Sequence, residues 1–379
     1  MTQVAIVGVG IHPFGRFAGK TYVDIGKEAV YQALADAGIP WKQVEAAFCG
    51  TVYTGSTSGL RVLAQVGLTG IPIVDVENAC ASGGSALRLG YQAIVSGLHD
   101  VVLVLGFEKM PSGFIVSPRF EPWERQIGFA ANPVSFGLRA RRHMHEHGTT
   151  DLQLAQVSVK NHRNGVNNPN AMYRRELSIE EIMNSVMVCD PLRLLMLCAP
   201  NEGAAAVILT SLNTARKLTS KPIIVAGTSL KSPAYGADRI DGQSYPVKST
   251  ALPITTAASQ DAYRMAGLGP QDLSLVELQD TDSGSEIIAY EELGLCPVGE
   301  GGRLLDEGAT EPTGRIPVNV SGGLLSKGEP VGASALGQVH ELVLQLRGQA
   351  GARQVPGAKV GLSHVIGAGG NCAVTLLKR

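Results

Sequence analysis

The sequence predicts an α/β fold built from two copies of one unit, and three observations predict it. Asp100-Val-Val-Leu-Val-Leu-Gly106 is an unbroken apolar run of strand length, the pattern of a strand buried on both faces of a sheet. The composition is hydrophobic (44%) but poor in aromatics (5%) and rich in glycine (46 residues), which suits helices packed closely on sheets. A strand, a small-residue turn and a helix run through Val74 to Ser96, and the same grammar returns at Pro317-Val-Asn-Val320, a Gly-rich turn and a helix from Ala333 to Arg347.

In chain order, Val4 to Gly10 reads as a strand. Its glycines invite a dinucleotide reading, but His12-Pro13 stands where a helix must open and the third glycine of G-x-G-x-x-G is missing. Tyr22 to Ala37 has helical spacing and stops at Gly38-Ile-Pro40. Val44 to Cys49 is a second strand, Leu60 to Val66 a short helix, and Val74 onward a buried strand leading to Cys80. From Pro111 to about Glu202, Pro, Arg, Met and His become frequent, with helices expected near Phe136 to His147, Leu152 to Asn164 and Ile179 to Val188. Gly203 to Thr210 returns as a strand. The second half then reads as strand Pro222 to Gly227, helix Thr256 to Met265, strand Leu273 to Leu278, helix Ser283 to Leu293, strand Ile316 to Asn319, helix Ala333 to Arg347, and strands Lys359 to His364 and Asn371 to Leu377. The expected organisation is a first half over 1–110, an inserted region over 111–202, a return strand and linker over 203–221, and a second half over 222–379.

The formal net charge of −1 arises from 32 basic and 33 acidic residues mixed along the chain, so no nucleic-acid partner is suggested. No apolar run reaches the roughly 18 residues of a membrane span, and no signal segment opens the chain; a cytoplasmic protein without membrane association is expected. The six cysteines form no C-x-x-C pair, which suits reduced thiols. Five of them read as packing residues. The run His143-x-His145-x-His147 does not share one helix face, so a solvated surface is expected there rather than a metal site.

Cys80 is the exception among the cysteines. It sits at a strand end with a helix starting directly behind it, where a helix dipole and free backbone N–H groups lower a thiol pKa and bind an oxyanion. It is the candidate nucleophile.

The segments Glu77-Asn-Ala-Cys-Ala-Ser-Gly-Gly84, Gly106-Phe-Glu-Lys-Met110, Lys160-Asn-His162, Asn168-Pro169, Asp190-Pro-Leu192, Gly203-Ala-Ala-Ala206, Asn319-Val-Ser-Gly-Gly323 and Gly361 to Leu376 occur in order along the whole chain. With them the sequence resembles the thiolase superfamily, nearest the sterol-carrier-protein or lipid-transfer type. The resemblance implies a duplicated, five-layered α-β-α-β-α thiolase fold with an inserted loop domain, homodimeric, acting on coenzyme A thioesters. It implies no covalently bound cofactor, with coenzyme A as a substrate. It also implies that Cys80 accepts the acyl group and that its N–H, with one from Gly367 or Gly369, forms the oxyanion hole.

Three motifs depart from the family. The second, His-Asp-Cys-Phe in the lipid-transfer branch and Asn-Glu-Ala-Phe or -His in others, falls on Gln279-Asp-Thr-Asp282. Gln279 keeps an amide donor able to polarise a thioester oxygen, whereas Thr281 is too weak an acid to replace the motif cysteine. The third, Gly-His-Pro, appears as Gly328-Glu-Pro330. Glu329 beside Cys80 raises the thiol pKa by like-charge repulsion, yet serves as a general base if burial raises its own. It is read either as that base or as a carboxylate that only holds its turn. The C-terminal Cys-x-Gly cysteine is absent, and His364 lies next to its position, either as a cleft group or as a partner for backbone groups.

For the coenzyme A phosphates the candidates are Arg139, Arg142, Lys160, Arg163 and Arg193. The leading expectation is a C-acyltransferase acting on a β-keto acyl-CoA, with an aryl, branched or steroid side-chain acyl group. The alternatives are a thiolase-like retro-aldol lyase on a β-hydroxyacyl-CoA, and a non-catalytic acyl-CoA-binding subunit. Chains of this divergent kind resemble partners of a small OB-fold, zinc-ribbon companion protein.

Overall fold

In the computed structural model, the described residues are 2–115, 121–219, 221–234 and 251–379. The first half comprises β1 (Val4–Gly15), α1 (Tyr22–Ala37), β2 (Ala46–Gly50), α2 (Ser58–Ala64), β3 (Ile73–Val76), α3 (Ser82–Val95) and β4 (Val101–Lys109). The inserted region holds α4 (Pro122–Gln126), α5 (Asn132–His147), α6 (Asp151–Gly165), α7 (Ile179–Met183), β5 (Met187–Cys189) and β6 (Leu192–Arg193). The return is β7 (Glu202–Ser211) and α8 (Leu212–Leu218). The second half comprises β8 (Ile223–Lys231), α9 (Ile254–Ala266), β9 (Leu275–Leu278), α10 (Ser283–Glu292), α11 (Gly301–Asp306), α12 (Gly323–Lys327), α13 (Ser334–Arg347), β10 (Val360–Ile366) and β11 (Cys372–Lys378).

The strand order, β3-β2-β4-β7-β1-β8-β11-β10-β9, makes the duplication visible. In the first half β2 is parallel to both β3 and β4, while β4-β7 and β7-β1 are antiparallel. In the second half β9-β10 is parallel, β10-β11 and β11-β8 are antiparallel, and Val318 bridges Val276 in parallel where β3 stands in the first. The halves join where Ala5 and Ile6 pair with Ile224 and Ile223.

Helices α3 and α13 fill the middle layer. Ala86 and Leu87 of α3 and Leu336, Val339 and Leu342 of α13 share one core with Val102 and Val104 of the first half and Leu275 and Leu377 of the second. Helix α1 covers the outer face of the first half, and α9 and α10 that of the second. The low aromatic content follows from how closely these layers approach: a Cβ on Gly332 would lie 2.7 Å from the carbonyl oxygens of Gly50 and Phe107. That contact holds the turn before α13 against the ends of β2 and β4.

Several expected boundaries move. The strand expected to end at Gly10 continues to Gly15, because the register shift between His12 and Gly15 accommodates Pro13, which has no N–H to give the ladder. The helix expected over 179–188 ends at Met183, since Met187 to Cys189 pairs with Leu192 and Arg193. Helix α5 begins at Asn132, with Pro133 in its first turn. Strand β3 is not buried: it is the sheet edge, and Val74 is 43% exposed. No helix among the described residues is long and apolar enough to cross a membrane.

Candidate active site

Cys80 lies between the end of β3 and the first turn of α3, 8% exposed. The turn is clamped around Asn78. Its N–H donates to Ser82 Oγ (2.9 Å), its amide donates to Ser85 Oγ (2.8 Å), and its side-chain oxygen accepts from Asn371 (3.0 Å). Ala79 takes φ +50°, a conformation costly to a residue with a Cβ, which presents the next residue sharply at the turn. Burial, first, and then the Glu329 carboxylate push the Cys80 thiol well above its ordinary pKa, while Gln279 and the Cys80 N–H oppose them. The thiol is therefore the resting form, contrary to what a helix terminus alone suggests.

The carboxylate responsible is built into the chain on both sides. The Glu329 N–H donates to Ala199 O (3.0 Å), and Pro200 and Glu329 form a parallel bridge. Gly328 precedes it at φ +95°, and a Cβ there would lie 1.7 Å from Asn201 Nδ2. Glu329 Oε1 accepts from Gln279 Nε2 at 2.7 Å, Oε2 accepts from the Cys198 thiol at 3.0 Å, and Cys80 faces the same carboxylate. Burial raises the Glu329 pKa against the three hydrogen-bonding partners.

Cys198 was expected among the packing cysteines. It belongs instead to the site, because the chain entering β7 passes beside the Gln279 turn and the Cys198 N–H donates to Thr281 O (2.9 Å). The sequence signal was its place next to the strand that returns from the inserted region. Gln279 spends its amide on Glu329, and its oxygen accepts from the Ile366 N–H (2.5 Å), so it aligns the carboxylate. Asp280 accepts from the Leu324 and Leu325 N–H groups at 2.6 and 3.1 Å, anchoring the turn into α12 that leads to Glu329. Asp282 caps α10 through the Ser285 N–H.

His364 lines the same cavity from β10. Its Nε2 meets Thr255 Oγ1 at 3.0 Å, its Nδ1 has no hydrogen-bond partner among the described residues, and burial followed by the nearby Arg139 lowers its pKa to about 3. It is neutral through the physiological range. Of the two glycines expected in the oxyanion hole, Gly367 is corrected: its N–H is committed to Asn371 O at 2.7 Å, closing the turn between β10 and β11. Gly369, at φ +95°, lies in the same turn.

Phe114, Ile115, Pro133, Phe136 and Leu197 give the cavity an apolar wall, and Asn132, Ser135, Arg139, Ser285 and Glu292 also line it. The other basic candidates lie elsewhere. Lys160 is corrected outright: it is buried and bonds to Glu286, to Tyr290 Oη (3.1 Å) and to Val318 O (3.3 Å), because the inner face of α6 meets α10 there. Arg142 pairs with Glu146, Arg163 with Glu311, and Arg193 donates to Ser185 O; none lines the cavity. His143, expected on a solvated surface, is buried with Nε2 3.1 Å from Glu291, while His145 and His147 face outward.

This arrangement is a thiol at a helix start, facing a carboxylate across from a second thiol, in an apolar cavity formed between duplicated halves. Residues 4–213 match the family model "Thiolase, N-terminal domain" and residues 244–378 match "Thiolase C-terminal domain-like". The chain belongs to the thiolase family. Among its relatives, acetyl-CoA acetyltransferase of Methanothermobacter thermautotrophicus is 42% identical over the full length of both chains. Sterol carrier protein 2 of Bos taurus is 42% identical over 99% of this chain and 72% of its own length. Benzoylsuccinyl-CoA thiolase subunit BbsB of Thauera aromatica is 37% identical over 97% of this chain and 95% of its own. Among solved structures, an Ltp2-ChsH2(DUF35) aldolase superposes with a TM-score of 0.89 at 25% identity, covering 100% of this chain and 98% of that one. Human mitochondrial 3-ketoacyl-CoA thiolase superposes at 0.74 with 20% identity over 100% of this chain and 98% of its own, a likeness of fold. The protein is thus an enzyme of the thiolase-type acyltransferase class.

Proposed function

We propose that this thiolase cleaves a β-keto acyl-CoA carrying a bulky apolar or aryl acyl group, using coenzyme A as acceptor and Cys80 as the acyl carrier. The observation that carries this reading is the meeting of Cys80 with the buried Glu329 carboxylate in a cavity walled by Phe114, Phe136 and Leu197. Glu329 takes the thiol proton, and the thiolate forms a bond to the β-carbonyl carbon. The oxyanion is received by the Cys80 N–H and by an N–H of the Gly369 turn. Loss of the α-carbon leaves an acyl thioester on Cys80, which the coenzyme A thiolate then releases. Neutral His364, with its free Nδ1, is a hydrogen-bonding group in this scheme rather than an acid or base.

The benzoylsuccinyl-CoA relative supports an aryl-bearing substrate and, being named a subunit, a companion chain. The Ltp2-ChsH2(DUF35) likeness supports the same kind of companion. The open edge of β3, with Val74 exposed, supports a homodimer continuing the sheet. Arg139, half-buried within the cavity, is the basic residue assigned to the coenzyme A thioester. The same aldolase likeness also favours a second reading, retro-aldol cleavage without an acyl-cysteine.

Intact mass separates the two. The first reading expects an acyl adduct on Cys80 after addition of 3-oxo-3-phenylpropanoyl-CoA or acetoacetyl-CoA, lost in Cys80→Ala together with activity. Retained turnover in Cys80→Ala would sink it.

A further inference from the structure

We propose that Cys198 delivers the proton to the substrate α-carbon, and that Glu329 carries this proton across from Cys80. The inference rests on the thiolase reading above and assigns its missing acid.

The proton balance requires such a group. When the Cys80 sulfur bonds to the β-carbonyl carbon and the bond between the α- and β-carbons breaks, the electron pair leaves on the α-carbon as an acyl-CoA enolate. Cys80 has lost one proton, and the α-carbon needs one. Glu329 touches both ends of that transfer, since one face of the carboxylate meets Cys80 and Oε2 holds the Cys198 thiol at 3.0 Å. Gln279 fixes the other oxygen at 2.7 Å, so the carboxylate is held in one orientation.

Thr281, His364 and Glu292, which also line the cavity, do not fill this role. The Thr281 hydroxyl is a far weaker acid and turns toward Asp282 and Ser285, at 3.2 and 3.4 Å. Neutral His364 is a poor proton donor and bonds to Thr255. Glu292 closes the far end of α10, about 14 Å along the helix axis from Ser283. Cys198 alone among these lining groups pairs an acidic proton with direct contact to Glu329, and its N–H bond to Thr281 O fixes where the thiol stands. Burial and the adjacent carboxylate keep it protonated, which is the form a proton donor needs.

The cycle then closes without an outside acid or base. Cys80 gives its proton to Glu329, Cys198 protonates the enolate, and the Cys198 thiolate recovers a proton from Glu329. The incoming coenzyme A thiol gives its proton to Glu329 and attacks the acyl group, and the released Cys80 thiolate takes that proton back.

Cys198→Ala and the near-isosteric Cys198→Ser test this with acetyl-CoA and acetoacetyl-CoA as probes. Transfer of acetyl from acetyl-CoA to Cys80 needs no α-carbon chemistry, whereas thiolysis of acetoacetyl-CoA and exchange of the acetyl-CoA methyl protons with D2O both do. The expected result in both variants is acetyl-Cys80 formation within about 3-fold of wild type by intact mass. Thiolysis and deuterium exchange by NMR are expected to fall on the order of 10²-fold or more. Thiolysis and exchange retained within about 3-fold overturn the proposal, as does equal loss of adduct formation in variants that melt like the wild type. A wild-type protein that forms no adduct on Cys80 overturns the thiolase reading itself, and the role of Cys198 with it.

Discussion

The Cys198 thiol donates to Glu329 Oε2 at 3.0 Å, across a carboxylate that Cys80 faces from another side. One buried carboxylate thus serves two thiols, and after burial its charge is the next cause that raises the pKa of each.

Replacing Glu329 by Gln removes the charge beside Cys80 while keeping the shape. The Cys80 pKa is expected to fall, because carboxylate repulsion is second only to burial in raising it. Iodoacetamide labelling of Cys80, followed by intact mass across pH, is expected to shift to lower pH while turnover drops on the order of 10²-fold or more. An unchanged labelling profile contradicts the placement of the charge.

Glu108 gives a pH dependence of stability. It is buried and accepts from the Val52 and Tyr53 N–H groups at 2.9 Å each, and burial raises its pKa to about 7. A raised carboxyl pKa means that the folded chain holds a proton the unfolded chain has released. Its contribution is therefore complete below the unfolded value and is lost as pH rises toward about 7. Between pH 5 and pH 8 the wild type is expected to lose up to about 3 kcal/mol relative to Glu108→Gln. Denaturant unfolding of both proteins at the two pH values checks this.

Lys160→Met leaves Glu286 buried without its cation, held by Tyr290 and the amides of Asn161 and Asn319. Breaking a buried pair from one side costs about 3–5 kcal/mol. Urea midpoints measure it, and a change within 1 kcal/mol would contradict the buried pair.

Gly328→Ala forces a Cβ into a backbone geometry reserved for glycine and against Asn201. The expected outcome is a loss of kcat of on the order of 10²-fold through displacement of Glu329, with about 1–3 kcal/mol of destabilisation. Steady-state kinetics beside thermal melts separate the two effects.

Much of this molecule was legible in the sequence. The run 100–106, the Cys80 turn and the repeated strand-turn-helix are local patterns, and local patterns report which segments form strands and helices and which cysteine stands at a helix start. The loss of imidazole at Gln279 and Glu329 was equally plain, since it needs only the residue type at a motif position.

What stayed hidden depended on direction and pairing. Lys160 reads as a ligand for the coenzyme A phosphates until α6 is seen to turn it onto Glu286, and the Gly367 N–H reads as an oxyanion donor until Asn371 takes it. Cys198 lies 118 residues from Cys80 in the chain, and no periodicity connects them.

The sequence by itself determined the duplicated α/β architecture, the candidate nucleophile and the absence of the family's histidines from the motifs, because these are written in composition, spacing and residue identity. Only the tertiary structure decided that Cys198, Gln279 and Cys80 converge on Glu329. The inserted region and the second half bring their turns together at one point, and burial there, which no local pattern encodes, raises the pKa of Cys80, Cys198 and Glu329 and lowers that of His364.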